Sequence, residues 1–299
     1  MSVGLLPLVA ASPIDTTTQD TAVSTTSSAV ATPPTRPLGR LPPKLAARAH
    51  QVRDLPIGAR MAAISELMLE SPYHIDPLGE GRGVDKDPLA RYDRYDCLTF
   101  LEEVLALSIA GTPEHAGEVR LALRYRDSNA SYQDRRHFME LQWIPDNIAA
   151  GWLKDTTQEY GPTTHMVREV DAASWNHWNG RSSFALADEH LPIGTMELHV
   201  LSLDDAITAA PTIRPGSIIL TVRENRTYKP IWISHVGFMV PNDERPTVRH
   251  ATRMQAKRVI DHGLVWYLKH LKTYKAWPAE GIAILEPVEQ GPRRLRRAP

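Results

Sequence analysis

The sequence has a single cysteine, Cys97, among 299 residues. An internal disulfide framework and any multi-cysteine zinc site are therefore excluded. It also has almost no net charge: 34 Lys and Arg stand against 35 Asp and Glu, for a formal charge of -1. No bulk field draws such a chain to nucleic acid or to an anionic membrane surface. No stretch approaches the roughly 18 consecutive apolar residues that a membrane span requires. The H-E-x-x-H pattern of metal-dependent hydrolysis is missing too. What is present is a 42% hydrophobic composition, ample for one core or two small ones.

Val3 to Ala11 is a short apolar run ending in small residues, like the close of a signal peptide, but no Lys or Arg precedes it. Residues 12–43 are rich in Ser, Thr, Ala and Pro and read as a disordered tether, so 1–43 is taken as signal remnant plus tether. One domain is expected over 44–290, with a poorly patterned insertion around 161–210 that strands flank. Residues 291–299 form a basic tail.

Helices are expected over Leu45–Arg53 and Ile57–Glu70, separated by Pro56. The Gly-, Pro- and Asp-rich segment Ser71–Leu89 reads as a surface loop. Then Cys97, Phe100, Leu101, Val104, Leu105, Ser108 and Ile109 recur at three and four residues, the period of a helix with one buried face. Gly111-Thr112-Pro113 stops it, and Pro113–Tyr125 and Ile144–Ala150 read as further helices. The C-terminal third carries β-rich runs at Ser217–Val222, Ile231–Val240, Thr247–Ala251 and Gly281–Val288, with a helix over Leu264–Lys272. Helices first and strands later argue for an α+β fold. Trp175 and Trp178, three residues apart, are expected in the core.

Cys97 falls in the first turn of its helix, behind Asp96 as N-cap. Unpaired backbone N–H groups and the positive end of the helix dipole favour the thiolate there, and the thiolate is the nucleophilic form. His235 and His250 lie 15 residues apart in consecutive β runs, so adjacent antiparallel strands can set them side by side. A cysteine at a helix start and two histidines on one sheet face supply a nucleophile, a base and an orienting group. Taken singly, the cysteine is equally at home as a small core residue and each histidine as a half-buried strand residue.

Together these residues resemble the NlpC-type cell-wall cysteine hydrolases, a papain-like superfamily. The resemblance rests on Asp96-Cys97 with Phe100, Arg214-Pro215-Gly216-Ser217, His235-Val236-Gly237 and His250-Ala251. It extends to the branch of N-acetylmuramoyl-L-alanine amidases. That branch's Cys-x-Thr-Phe-x-Glu core is matched by Cys97, Thr99, Phe100 and Glu102, and its Tyr-Arg-Asp segment by Tyr125-Arg126-Asp127. Arg135, His137, Phe138, Trp143 and Ile144 match another segment; Tyr267-Leu268-Lys269 and Gly281-Ile282 match the last two. The match spans roughly residues 50 to 288. Ser217 departs from it, since the superfamily usually has Asp after Pro-Gly.

The resemblance implies a papain-like α+β fold, with N-terminal helices and the nucleophile helix packed on a C-terminal antiparallel sheet. It implies catalytic Cys97, His235 and His250, and hydrolysis of the amide between N-acetylmuramic acid and L-Ala through a thioester. No cofactor or metal is implied. The partners are peptidoglycan or soluble muropeptides, with neither nucleic acid nor a membrane span, and the setting is the bacterial periplasm or cell envelope. Tyr95, Asp96, Arg126, Arg135 and Trp143 are expected to bind substrate: guanidinium forks take stem-peptide carboxylates and aromatic faces cover sugars. Three alternatives stay open. One is a stem-peptide endopeptidase of the same superfamily. Another is a metal amidase using His235, His250, His262 and Asp243 or Asp261, although their spacing is loose. The third is a non-catalytic cell-wall-binding protein.

Overall fold

A computed structural model describes residues 39–254 and 257–290; the expected signal remnant and tether (up to residue 38) and the basic tail lie outside the described residues. Five helices come first: α1 (Pro43–Val52), α2 (Ile57–Glu66), α3 (Cys97–Ile109), α4 (Ala116–Arg124) and α5 (Ile144–Ala149). Pro42 and Pro56, with polyproline-like backbone, precede the first two. Helix α2 stops four residues short of its expected end, because residues 67–70 close into turns.

The strands are β1 (Leu153–Asp155), β2 (Thr163–Val170), β3 (Gly194–Ser202), β4 (Ile218–Arg223), β5 (Ile233–Val240), β6 (Thr247–Thr252), β7 (Arg258–Gly263) and β8 (Ala279–Pro287). Three more helices are α6 (Ala172–Asn176), α7 (Leu203–Ala209) and α8 (Leu264–Leu271). All strand pairs are antiparallel, in the order β2-β3-β8-β4-β5-β6-β7, with β1 beside β8. The α+β expectation holds. Two strands are additional to it: β1 and, more consequentially, β7.

The centre of the sheet is buried on both faces. Along β4, Ile218, Leu220 and Val222 join the core of α1–α5, while Ile219 joins a second core with α7 and α8. That alternation is the two-residue period of a strand, and it makes a three-layer stack with β4 sealed at every position. Helix α3 docks on the sheet through Phe100, whose ring stacks on Phe238 of β5 at 5.7 Å and meets Tyr95 edge-on at 5.7 Å. Such pairs add about 0.5–1.5 kcal/mol each beyond burial.

A backbone contact fixes how α2 meets the turn before β4. Gly216 has φ of +88°, a left-handed backbone that favours glycine, and a Cβ there would sit 2.6 Å from Gly58 Cα. A Cβ on Gly58 would in turn strike the Pro215 carbonyl oxygen at 2.2 Å. The expected insertion is strands β2 and β3 with a short segment between them. Phe138, Trp175, Trp178 and Phe184 bind that segment to the main core through ring contacts of 4.5 to 6.0 Å. Trp175 and Trp178 are buried, as expected.

Candidate active site

Cys97 is the first residue of α3, and Asp96 caps it. The Asp96 carboxylate accepts the Thr99 backbone N–H and the Thr99 hydroxyl, both at 2.8 Å, while Thr99 Oγ1 accepts the Asp96 N–H at 3.0 Å. This reciprocal pair is a capping box, with threonine as the third helical residue. Asp96 also accepts the Asp76 N–H at 3.2 Å, tying the preceding loop to the helix start. Its side chain is thus spent on structure.

The thiol does not behave as the helix start alone would have it. Burial pushes Cys97 up to about 12, and the adjacent Asp96 charge pushes the same way. The backbone N–H groups of Val236, Leu98 and Cys97 pull it down, as expected, but less strongly. Desolvation of an anion outweighs a few amide dipoles here, so the resting group is a neutral thiol. We expect Asp96→Asn to keep the cap, hold stability within a few tenths of a kcal/mol, and speed iodoacetamide alkylation at pH 8 by removing the charge. Asp96→Ala should cost about 1 kcal/mol through loss of the cap. Urea unfolding and alkylation kinetics on both variants check the two parts separately.

The expected histidine pair is present on adjacent strands. His235 on β5 and His250 on β6 meet through His235 Nε2 and His250 Nδ1 at 2.8 Å. Gly237 makes room for this: a Cβ on it would lie 2.9 Å from His250 Cβ and 3.0 Å from the Arg249 carbonyl oxygen. The contact leaves Nδ1 as the His235 nitrogen available to a reacting group. Its neighbour Val236 is the residue whose amide bears on the Cys97 sulfur. Burial, then Arg223 and His262, push His235 down to about 4, so it rests as a neutral imidazole. His250 is fully buried and is pushed well below the usual imidazole range by burial and by both flanking histidines.

Three neighbours escaped the sequence reading as site residues. His262, on β7, meets His250 Nε2 through its Nδ1 at 2.9 Å. It was weighed only as a metal ligand because β7 was not recognised; the Val259-Ile260 pair was the available signal. Tyr267 on α8 lies under the histidines, 6.2 Å from the His235 ring and 5.3 Å from the His250 ring, with its hydroxyl 2.6 Å from Thr221 Oγ1. A charge on Cys97 bears on both Tyr267 and Tyr73. Tyr73 sits in the loop before the nucleophile; its N–H donates to Lys257 O, while the His74 N–H donates to Tyr95 O.

The expected substrate-binding set divides. Tyr95 and Trp143 are both 0% exposed, and Arg135 is 6% exposed, so none offers a face to a ligand. Tyr95 packs on Phe100, and the Trp143 indole N–H donates to Glu102 on α3 at 3.0 Å. Arg135 donates twice to Glu80 at 2.9 Å and to Asp85 at 2.6 Å. These three are structural: Arg135 and Trp143 already have buried polar partners, the Tyr95 hydroxyl is buried without one, and the surfaces of all three are covered. Only Arg126 remains exposed, with a loose 3.8 Å pairing to Asp146. Among the described residues, no group of three or more His, Cys, Asp or Glu is arranged to hold a metal ion.

A family model described as AmiA-like, N-acetylmuramoyl-L-alanine amidase-like, matches residues 63–274. No curated protein matches the chain. Among solved structures, a Legionella pneumophila protein is 22% identical with a TM-score of 0.72, covering 83% of this chain and 95% of its own. An N-acetylmuramoyl-L-alanine amidase from Bacteroides uniformis is 21% identical with a TM-score of 0.62, covering 78% of this chain and 99% of its own. At these identities the likeness is one of fold.

Proposed function

Because the chain belongs to the AmiA-like, N-acetylmuramoyl-L-alanine amidase-like family, we infer that it is a cysteine amidase cutting the bond between N-acetylmuramic acid and L-Ala. Its site is of the papain-like NlpC type. The observation that carries this reading is the His235–His250 contact on β5 and β6, with the start of α3 held against β5. Two imidazoles bonded Nε2 to Nδ1 leave one nitrogen free to act as a base, and a thiol stands at a helix start beside that strand.

The resting pair is neutral, so His235 acts first as general base. Its Nδ1 takes the thiol proton as Cys97 Sγ attacks the lactyl carbonyl carbon. The oxyanion so formed accepts from the Cys97 backbone N–H, and the Tyr73 hydroxyl is the candidate second donor. The imidazolium then protonates the leaving L-Ala nitrogen as the C–N bond breaks, and a thioester remains. Water, deprotonated by the same imidazole, releases the muramic acid carboxylate and restores the thiol. His250 holds the ring plane and tautomer of His235. Arg126 is the guanidinium left to meet a stem-peptide carboxylate.

Mass spectrometry of muropeptide digests tests the bond choice. The expected products are intact stem peptides with a free L-Ala amine and the matching disaccharide acid. Fragments cut after D-Glu would replace amidase by endopeptidase. No turnover of any fragment by folded protein would favour a wall-binding role.

A further inference from the structure

The histidine contacts do not stop at the pair the mechanism uses. His235 Nε2 meets His250 Nδ1 at 2.8 Å, and His250 Nε2 meets His262 Nδ1 at 2.9 Å. Both junctions join an Nε2 to an Nδ1, on three consecutive strands, and the rings cross nearly at right angles, 78° and 83°. His250 is fully buried, whereas His262 is half-buried and its ring lies 4.7 Å from that of Trp266, an exposed ring tilted 41° to it. The row therefore runs from the strand beside the nucleophile's helix, through the interior, to the outer strand.

Counting protons limits what such a row can do. A neutral imidazole has one N–H, and each junction needs one hydrogen. Three neutral rings satisfy both junctions in only two ways. In the first, all three protons sit on Nε2, and His235 Nδ1 is a lone pair that can act as a base. In the second, all three sit on Nδ1, and His235 presents an N–H to the thiol and has no base to offer. The middle ring forces the other two to agree.

Adding one proton has an equally definite result. It enters at His235 Nδ1; the His235 Nε2 proton crosses to His250 Nδ1, and the His250 Nε2 proton crosses to His262 Nδ1. One proton has entered and two have hopped, and the positive charge lies on His262. Resting on the cysteine-amidase reading, we propose that His262 is a positioning residue that sets, through His250, which nitrogen of His235 carries the proton. It also receives the positive charge when His235 is protonated.

The surroundings favour that placement of charge. His250 is fully buried and His235 partly so, and burial and Arg223 both oppose a cation at His235. His262 is half open to water, which solvates a cation better than the interior does. The groups facing it are His250 from β6, Asp261 on its own strand, Arg245 from the preceding loop and His270 from α8. Burial opposes the charge most, and His270 and Arg245 oppose it too; Asp261 favours it. Asp261 is itself held by two 2.7 Å bonds from Arg249, so it is only partly available. The apparent pKa for entry of the first proton belongs to the row and not to any one ring, and His262 sets it.

The test is the pH profile of kcat/KM on a muropeptide, wild type against His262→Gln. The glutamine carbonyl can accept the His250 Nε2 proton, which keeps the active tautomer, but the side chain cannot take the charge. The wild-type acid limb is expected above about 4, the value to which burial, Arg223 and His262 push a charge kept on His235. In His262→Gln the limb should fall towards that value by at least about 1 pH unit, the size that marks coupled groups. An unmoved limb, with or without a lower melting temperature, would leave His262 a purely structural residue and overturn the proposal. Imidazole nitrogen NMR on the unmodified protein needs neither substrate nor variant. Above the limb, His235 and His250 should be protonated on Nε2; below it, both should be protonated on Nδ1, with two N–H groups on His262. Two N–H groups on His235 in acid would overturn the proposal whatever the enzyme is found to cut. Absent turnover with the expected NMR pattern would instead fault the amidase reading alone.

Discussion

Cys97→Ala is expected to lose turnover by roughly 10⁴-fold or more in kcat, the scale seen when a triad nucleophile is removed. The unfolding free energy should stay within about 1 kcal/mol of wild type, since the change removes one sulfur from a site the surrounding α3 packing defines. Rate on a muropeptide and urea midpoint on the same preparation check both halves. A Cys97→Ala protein that keeps wild-type turnover would sink the cysteine mechanism. The wild-type thiol should also react slowly with iodoacetamide near neutral pH, because burial pushes it up to about 12. The alkylation rate should climb steadily through pH 9 and 10, as the thiolate fraction grows with pH below the thiol's pKa. A plateau below pH 7 would mean a resting thiolate.

Arg135→Ala is expected to destabilise the protein by about 3–5 kcal/mol, the cost of leaving a buried charge without its partner. Glu80, 1% exposed, would keep only the Tyr125 hydroxyl at 2.9 Å. Asp85 would lose a 2.6 Å bond, so the loop of residues 76–85 would come away from the segment around residues 125–135. The measurement is urea unfolding with the slope compared between variants. Adding Glu80→Met to Arg135→Met should recover part of the loss, because the paired removal takes away the more deeply buried of the two carboxylates that Arg135 holds. A substrate contact would show the reverse: a raised KM with unchanged unfolding.

The chemistry-bearing positions were more legible than their surroundings. The apolar period fixed α3 and its cap, so Cys97 could be placed on the first turn. The β runs at 231–240 and 247–251 were plain from branched residues, and 15 residues between two histidines suffices for neighbouring strands. The supporting shell was harder to read. Tyr95, Arg135 and Trp143 have the side chains of ligand contacts, but only tertiary packing decides whether a guanidinium faces a substrate or Glu80. The thiol's acidity was misread for the same reason. Local amide dipoles follow from sequence, whereas the desolvation that outweighs them comes from the layers that close over the site. His262 was missed because a strand at the sheet's outer edge needs less regular alternation than a central one. Its partner in the row is twelve residues away across a hairpin.

Strand β8 comes last among the described strands, yet it lies between β3 and β4. Without it, β2-β3 and β4-β5-β6-β7 are two ribbons with nothing joining their backbones. A chain emerging from the ribosome can therefore form α3 and even the His235–His250 hairpin early, but it cannot zip the sheet until residues 279–287 are free. Pairings of such long sequence separation form slowly. A ribosome-stalled chain ending before Ala279 should remain protease-sensitive across β2-β3, and the candidate site would mature only after residues 279–287 have emerged.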